Sequence, residues 1–163
     1  MKWEWAHFFP RLSGWVRAHW VALFVVGIIL LVLGIHLIPQ KPTVGKIEKP
    51  HYNQDVPCLI YVQGTINHFS KGHSLWLAVQ KGELFWPKLP KIIPTKSKWK
   101  STLFENGTPP CGRFSIVLLS TTPSANDELE KWINDGDYSG IPIHKIPGIV
   151  VLDDVAIRRF CSK

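Results

Sequence analysis

The chain has 163 residues, 45% of them hydrophobic and 19% charged, with a formal net charge of +7. That length suits one modest domain with an appendage, and that apolar content excludes an intrinsically disordered chain. From Lys41 onward, 16 Lys and Arg stand against 11 Asp and Glu, a surplus too mild for a dedicated nucleic-acid binder. It suits a solvated basic surface beside an anionic membrane, so nucleic acid is not an expected partner.

The first element is a tail, residues 1–18. It is rich in aromatics, with Trp3, Trp5, Phe8, Phe9 and Trp15, residue types that favour the membrane–water interface. Pro10 and Gly14 interrupt any long amphipathic helix there. The tail is expected to lie along a bilayer surface or to dock a partner membrane subunit.

Residues 19–39 are expected to form a transmembrane helix. Val21 to Ile38 contains no Asp, Glu, Lys or Arg, and a helix needs about 20 apolar residues to cross the hydrocarbon core. Trp20 sits at headgroup level, and Pro39 disfavours helical geometry at the residue before it. A cleaved signal peptide would have a shorter apolar core and a small-x-small site. This run instead ends in Leu37, Ile38 and Pro39, so the segment is read as a retained anchor. Gly27 and Gly34 are seven apart, which is not the four-residue glycine dimer spacing. Lys2, Arg11 and Arg17 precede the span, while Lys41, Lys46 and Lys49 follow it. The balance leans toward an inside N-terminus and a C-terminal domain outside the cytoplasm.

Residues 40–57 hold Pro39's successors Pro42, Pro50 and Pro57 with several charges, and are expected to be an extended linker that lifts the domain off the membrane. The domain proper is then 58–163. Leu59 to Ile66 reads as a strand with Gly64 at a bulge. Leu75–Val79 is a buried strand, Lys81-Gly82 turns, and Glu83–Trp86 returns as its hairpin partner. Trp99–Phe104 alternates as a further strand. Asn106-Gly107 and Pro109-Pro110 mark a loop. Arg113–Ser120 is the strongest strand in the chain, and Ile149–Arg159 closes the series, with a break expected at Asp153-Asp154. One helix interrupts the strands. Thr122 caps it, Pro123 suits its first turn, Asp127 and Glu128 favour its positive end, and Gly136 stops it. Leu129, Trp132 and Ile133 share one face, expected to pack on an edge of the sheets. The fold class is therefore mainly β: an immunoglobulin-like β-sandwich with one short helix, preceded by a transmembrane helix.

The succession Gly72-x-x-Leu75-Trp76-Leu77-x-Val79, Phe85-Trp86-Pro87, Trp99, Gly112-x-Phe114-x-Ile116-Val117-Leu118-Leu119, Pro147-Gly148-Ile149 and Val151-Leu152-Asp153-x-Val155-x-Ile157-x-Arg159 resembles bacterial β-sandwich domains of the prokaryotic YEATS-like type. The resemblance covers residues 64–159. It implies an immunoglobulin-like fold beside a membrane span. Eukaryotic relatives read acylated lysine with loop aromatics, but those residues do not map onto this sequence one by one, so the resemblance implies no ligand site.

No catalytic set emerges. Asp153 and Asp154 are neighbours, so in a strand they point to opposite faces and do not pair as acid and base. Asp153 is expected to bond a loop where the last strand begins. Ser115, Ser120 and Ser124 lack a nucleophile-elbow pattern, and no phosphate loop is present. His51, His68, His73 and His144 are scattered; His68 and His73 flank one loop, but a metal site needs further ligands. Three cysteines, Cys58, Cys111 and Cys161, do not make a disulfide framework. A Cys58–Cys111 bridge and three reduced thiols both remain open. Asn106-Gly-Thr108 fits a glycosylation sequon relevant only in a eukaryotic secretory setting.

The candidate binding face runs from Lys81 to Lys100: Lys81, Phe85, Trp86, Lys88, Lys91, Lys96 and Lys98, with Trp99 and Lys100. Lysines among aromatics track anionic polymers or headgroups. The preferred reading is that Trp86 and Trp99 are core residues of the hairpin and the lysines its wet face; the core position is expected for Trp99 and left open for Trp86. The expected function is a non-enzymatic, single-pass membrane accessory or interaction subunit, needing no cofactor or metal. Its partners would be the lipid bilayer and a membrane protein or a second copy. The alternative is a membrane-tethered domain binding an anionic polymer, glycan or acylated peptide.

Overall fold

A computed structural model describes residues 24–26, 28, 41–105, 112–136 and 139–159. The aromatic tail, most of the expected transmembrane helix, the 106–111 loop with its sequon, Cys111 and Cys161 lie outside the described residues. Residues 24–26 and 28 are helical. Among the described residues no helix is long and apolar enough to cross a membrane. The chain divides into two compact units, and the second begins at Pro42.

That second unit is mainly β. Among the described residues eight strands, β1 (Val44–Lys49), β2 (Asp55–Val56), β3 (Leu59–Asn67), β4 (Ser74–Lys81), β5 (Leu84–Ile92), β6 (Lys98–Phe104), β7 (Gly112–Thr121) and β8 (Ile149–Arg159), form two sheets. One has the order β1-β3-β6, the other β2-β8-β7-β4-β5. Every pairing is antiparallel except the short β2–β8 contact. Period-two alternation decides which side chains meet. Ile60, Val62 and Ile66 of β3 join Leu75, Leu77 and Val79 of β4 and Phe114, Ile116 and Leu118 of β7 in one core between the sheets. The opposite faces of β4 and β7 are also apolar: Trp76, Ala78, Val117 and Leu119 form a second cluster with Leu129, Ile141 and Ile143. β4 and β7 thus read as continuous apolar runs because they are covered on both sides.

Helix α1 (Pro123–Asn134) covers that second face. The Thr122 side chain accepts from the Ala125 backbone N–H, and Pro123 opens the first turn as expected. Gly136 takes the left-handed conformation at φ +67°, and its N–H donates to the Ile133 carbonyl at 3.2 Å, which ends the helix. Two expectations need correction. No acidic residue lies in the first turn; Asp127 and Glu128 come later, so they do not supply the N-terminal charge. The helix also packs on the face of the five-stranded sheet and not on an edge, because the even-numbered residues of β4 present a large apolar surface there. Trp76, fully buried, turns its ring NH to the Asn126 side-chain oxygen at 3.2 Å.

The segment 40–57, expected as linker, supplies β1 and β2 instead. Ile47 enters the inter-sheet core, and its backbone N–H donates to Asp153 Oδ2 at 2.6 Å. That bond sits where the β1–β3 register shifts between Ile47 and Lys49. Asp153 therefore holds β1, not a loop. The expected break at Asp153-Asp154 is a bulge: Leu118 pairs with Asp153 and Leu119 with Val151, leaving Leu152 as the extra residue. Likewise the extra residue near Gly64 lies on the partner strand β1, opposite it.

Candidate functional site

The lysines expected to form one face are distributed by strand alternation over three surfaces. On β5, Trp86 pairs with Val79 and Lys88 with Leu77, so both face the other sheet. Phe85 turns to the helix side and is buried there. Lys91 is also on that side, ion-paired with Glu130 and 5.9 Å above the Trp76 ring. Lys96 lies in the β5–β6 turn, and Lys98 and Lys100 are exposed on β6. The single Lys81–Lys100 face does not form. Trp99 is a core residue, 4% exposed, donating its ring NH to the Thr65 carbonyl at 3.0 Å. Trp86 is half-buried against the inter-sheet core, and a Cβ added at Gly140 would meet its ring at 2.8 Å. It is packed, not a free stacking platform.

Lys81 and Lys88 converge on a group the sequence reading missed. Glu105, only 4% exposed, receives Lys88 at 2.8 Å and Lys81 at 3.1 Å. Its backbone carbonyl accepts from the buried Arg159 guanidinium at 2.7 Å, and its N–H donates to the Cys58 carbonyl at 2.9 Å. The Lys81 ammonium also lies 5.8 Å from the Trp86 ring and 6.0 Å from the Phe114 ring. Burial, the largest single influence, pushes the Glu105 carboxyl up. Hydrogen bonds from Lys88 and Lys81 and their charges together outweigh it and hold the group below its ordinary range. This cluster ties β4, β5, β6 and β8 together at one end of the two-sheet unit. Its arrangement is that of an ionic clamp, because every charged head is turned onto another part of the fold.

The other polar candidates stay apart. Leu118 faces Asp153 and Val117 faces Asp154 in the register, so the two carboxylates occupy opposite sides of β8. His73 Nδ1 lies 3.4 Å from the buried Ser120 hydroxyl. Among the described residues no three His, Cys, Asp or Glu side chains converge as metal ligands. Cys58 carries an exposed free thiol. An open groove of about 630 Å³ runs beside the 3-10 turn Ile143–Lys145, lined by Gln80, Phe85, His144, Ile149 and Val151 among others.

The most conspicuous exposed feature is apolar. Leu59 (44% exposed) pairs directly with Phe104 (56%), and Tyr61 (73%) stands in the next outward row. All three project from the outer face of the three-stranded sheet, while Ile60, Val62 and Leu103 fill its inner face. The signal was present in the sequence: Leu59-Ile60-Tyr61-Val62 is apolar at both parities, which a strand with one wet face does not require. Among the described residues no hydrogen bond or ion pair engages these three side chains, and such a patch marks an interaction surface.

Fold and site together define a mainly β, two-sheet domain with a helix on one outer face and an apolar patch on the other. No protein-family model matches the chain, and no curated protein matches it in sequence.

Proposed function

We propose that this chain is a non-enzymatic, single-pass membrane accessory subunit whose domain, an immunoglobulin-like β-sandwich of the prokaryotic YEATS-like type, serves protein assembly outside the cytoplasm. The observation that carries this reading is the Leu59, Tyr61 and Phe104 patch on the outer face of the three-stranded sheet. Aromatic side chains contribute disproportionately to interface energy. The uncharged apolar run ending at Ile38 supports the anchor. The alternative, capture of an anionic polymer, glycan or acylated peptide through the lysines of 81–100, is less well supported because those lysines lie on three surfaces.

The anchor predicts that the full chain stays with membranes through alkaline carbonate extraction; release into the soluble fraction would overturn it. The assembly reading predicts stoichiometric co-purification of another membrane protein, or of a second copy, in mild detergent. A Tyr61→Glu, Phe104→Glu variant should lose that partner, with binding weakened by at least tenfold, while its melting temperature stays close to wild type because exposed changes shift stability by only about 0.5 kcal/mol each. A lone monodisperse chain, or a variant that keeps its partner, would count decisively against the proposal.

A further inference from the structure

The strand registers gather one set of loops at a single end of the domain. Val44 pairs with Asn67, Thr65 with Lys98, Leu75 with Ile92, and Ser74 with Thr121. That end therefore collects residues 42–43 before β1, the β3–β4 loop (68–73) and the β5–β6 loop (93–97), together with the chain leaving β7 into α1 at Thr122 and entering β8 at Ile149. The loops at 42–43, 68–73 and 93–97 contain no Asp or Glu; Lys71 and Lys96 lie on the last two, with Lys98 at the adjoining start of β6, while the first acids of the helix that starts at this end are Asp127 and Glu128. Among the described residues Lys71, Lys96 and Lys98 enter no ion pair, whereas Lys81, Lys88 and Lys91 do. The opposite end is of mixed charge, holding the Glu105 clamp and the Asp55–Arg158 pair.

The backbone holds the lysines outward. Lys71 occupies a tight turn closed by the His73 N–H donating to the Ser70 carbonyl at 3.2 Å. Lys96 sits at the tip of a second turn, in which Thr95 and Lys98 exchange backbone bonds at 2.8 and 3.2 Å. Ile93, at the start of the β5–β6 loop, is 86% exposed. Thr43 donates its hydroxyl to the His68 carbonyl at 2.9 Å, which ties the entering chain to the same loops.

We infer that this lysine-bearing end of the domain rests on the headgroups of an anionic bilayer, with Ile93 at the interface. The inference depends on the reading of 19–39 as an anchor. Ammonium groups on flexible stems suit phosphate headgroups, and each lysine near an anionic surface multiplies the contact equilibrium about fivefold. The lysines of this end, which enter no ion pair among the described residues, supply the charge complement. The Leu59, Tyr61 and Phe104 patch belongs to the other end of β3 and β6, so this contact leaves it open to a protein partner.

The full chain should be incorporated into nanodiscs of neutral phosphatidylcholine, or of the same lipid with about one-third phosphatidylglycerol to supply surface charge, and followed by amide hydrogen exchange. Exchange in loops 68–73 and 93–97 should be several-fold slower in the anionic discs. It should return to the neutral-disc rate in about 0.5 M salt, where screening shortens to a few ångström. It should also return in a Lys71→Gln, Lys96→Gln, Lys98→Gln variant. Equal exchange in the two lipids, or protection retained by the triple variant, overturns the headgroup contact while leaving the anchor intact. Failure of the chain to enter the discs overturns the anchor reading and this inference with it.

Discussion

Replacing Gly64 with alanine is expected to destabilise the domain by about 3 kcal/mol or more, an overpacking cost at the upper end for a core position. A Cβ there would lie 1.9 Å from the Lys46 carbonyl oxygen and 2.6 Å from the Trp99 ring. The carbonyl is backbone of β1 and has nowhere to move without breaking the β1–β3 ladder. Trp99→Ala should cost roughly 3 to 5 kcal/mol, since the indole is buried and its ring NH bond is lost. The two positions touch, so their effects should not add. Removing the indole relieves half of the clash, and the double variant should be less destabilised than the sum by about 1 kcal/mol or more. Urea titration followed by tryptophan fluorescence or near-UV dichroism would measure each value. A Trp99→Ala chain with an unchanged midpoint would show that the ring is not a core element.

A second large effect should appear at Glu105. Glu105→Gln is expected to cost about 2 kcal/mol at neutral pH, below the roughly 3 to 5 kcal/mol for breaking a fully buried pair. The reduction has a physical reason: the Lys81 and Lys88 side chains keep 34% and 26% of their exposure and can recover hydration. The dependence on pH has a definite sign. The folded carboxyl titrates below its ordinary range, and so below its unfolded value. Its contribution is fully present above the unfolded carboxylate value and is lost as pH falls through the folded one. Wild type and Glu105→Gln should therefore differ most near neutrality and converge in acid. Denaturant midpoints measured across that interval would check this, and a gap that stays constant with pH would refute the charge-based account of the clamp.

Several parts of the fold could be read directly from the chain. The helix is set by local chemistry: Thr122 and Pro123 start it and Gly136 ends it, and each acts within its own turn of backbone. β7 was evident because a long apolar run bounded by Gly112 and Thr121 has little alternative to a doubly covered strand. Trp99 was expected in the core, and its alternation with the exposed Lys98 and Lys100 explains why. What escaped local reading was set by partners distant in sequence. β1 carries only Ile47 as a buried large apolar residue, and prolines surround it, so it reads as linker. It is a strand because β3 supplies the ladder and Asp153, 106 residues away, accepts the Ile47 N–H at the register shift.

The functional surfaces divide in the same way. A lysine count along 81–100 is a property of the sequence. Which lysines are available is decided by the pleat, which sends Lys88 inward to Glu105, Lys91 toward Glu130 on the helix side, and leaves Lys96 and Lys98 exposed. Glu105 appeared as one more acid before a loop, and only the closure of β5 against β6 buries it between two ammonium groups. The sequence by itself therefore determined the apolar run, the strand and helix periodicity and the caps, because those depend on neighbours within a few residues. Only the tertiary structure decided the first strand, the ionic clamp, the Leu59–Tyr61–Phe104 patch and the basic end, because each depends on strand pairing, which places residues far apart in the chain within a few ångström of one another.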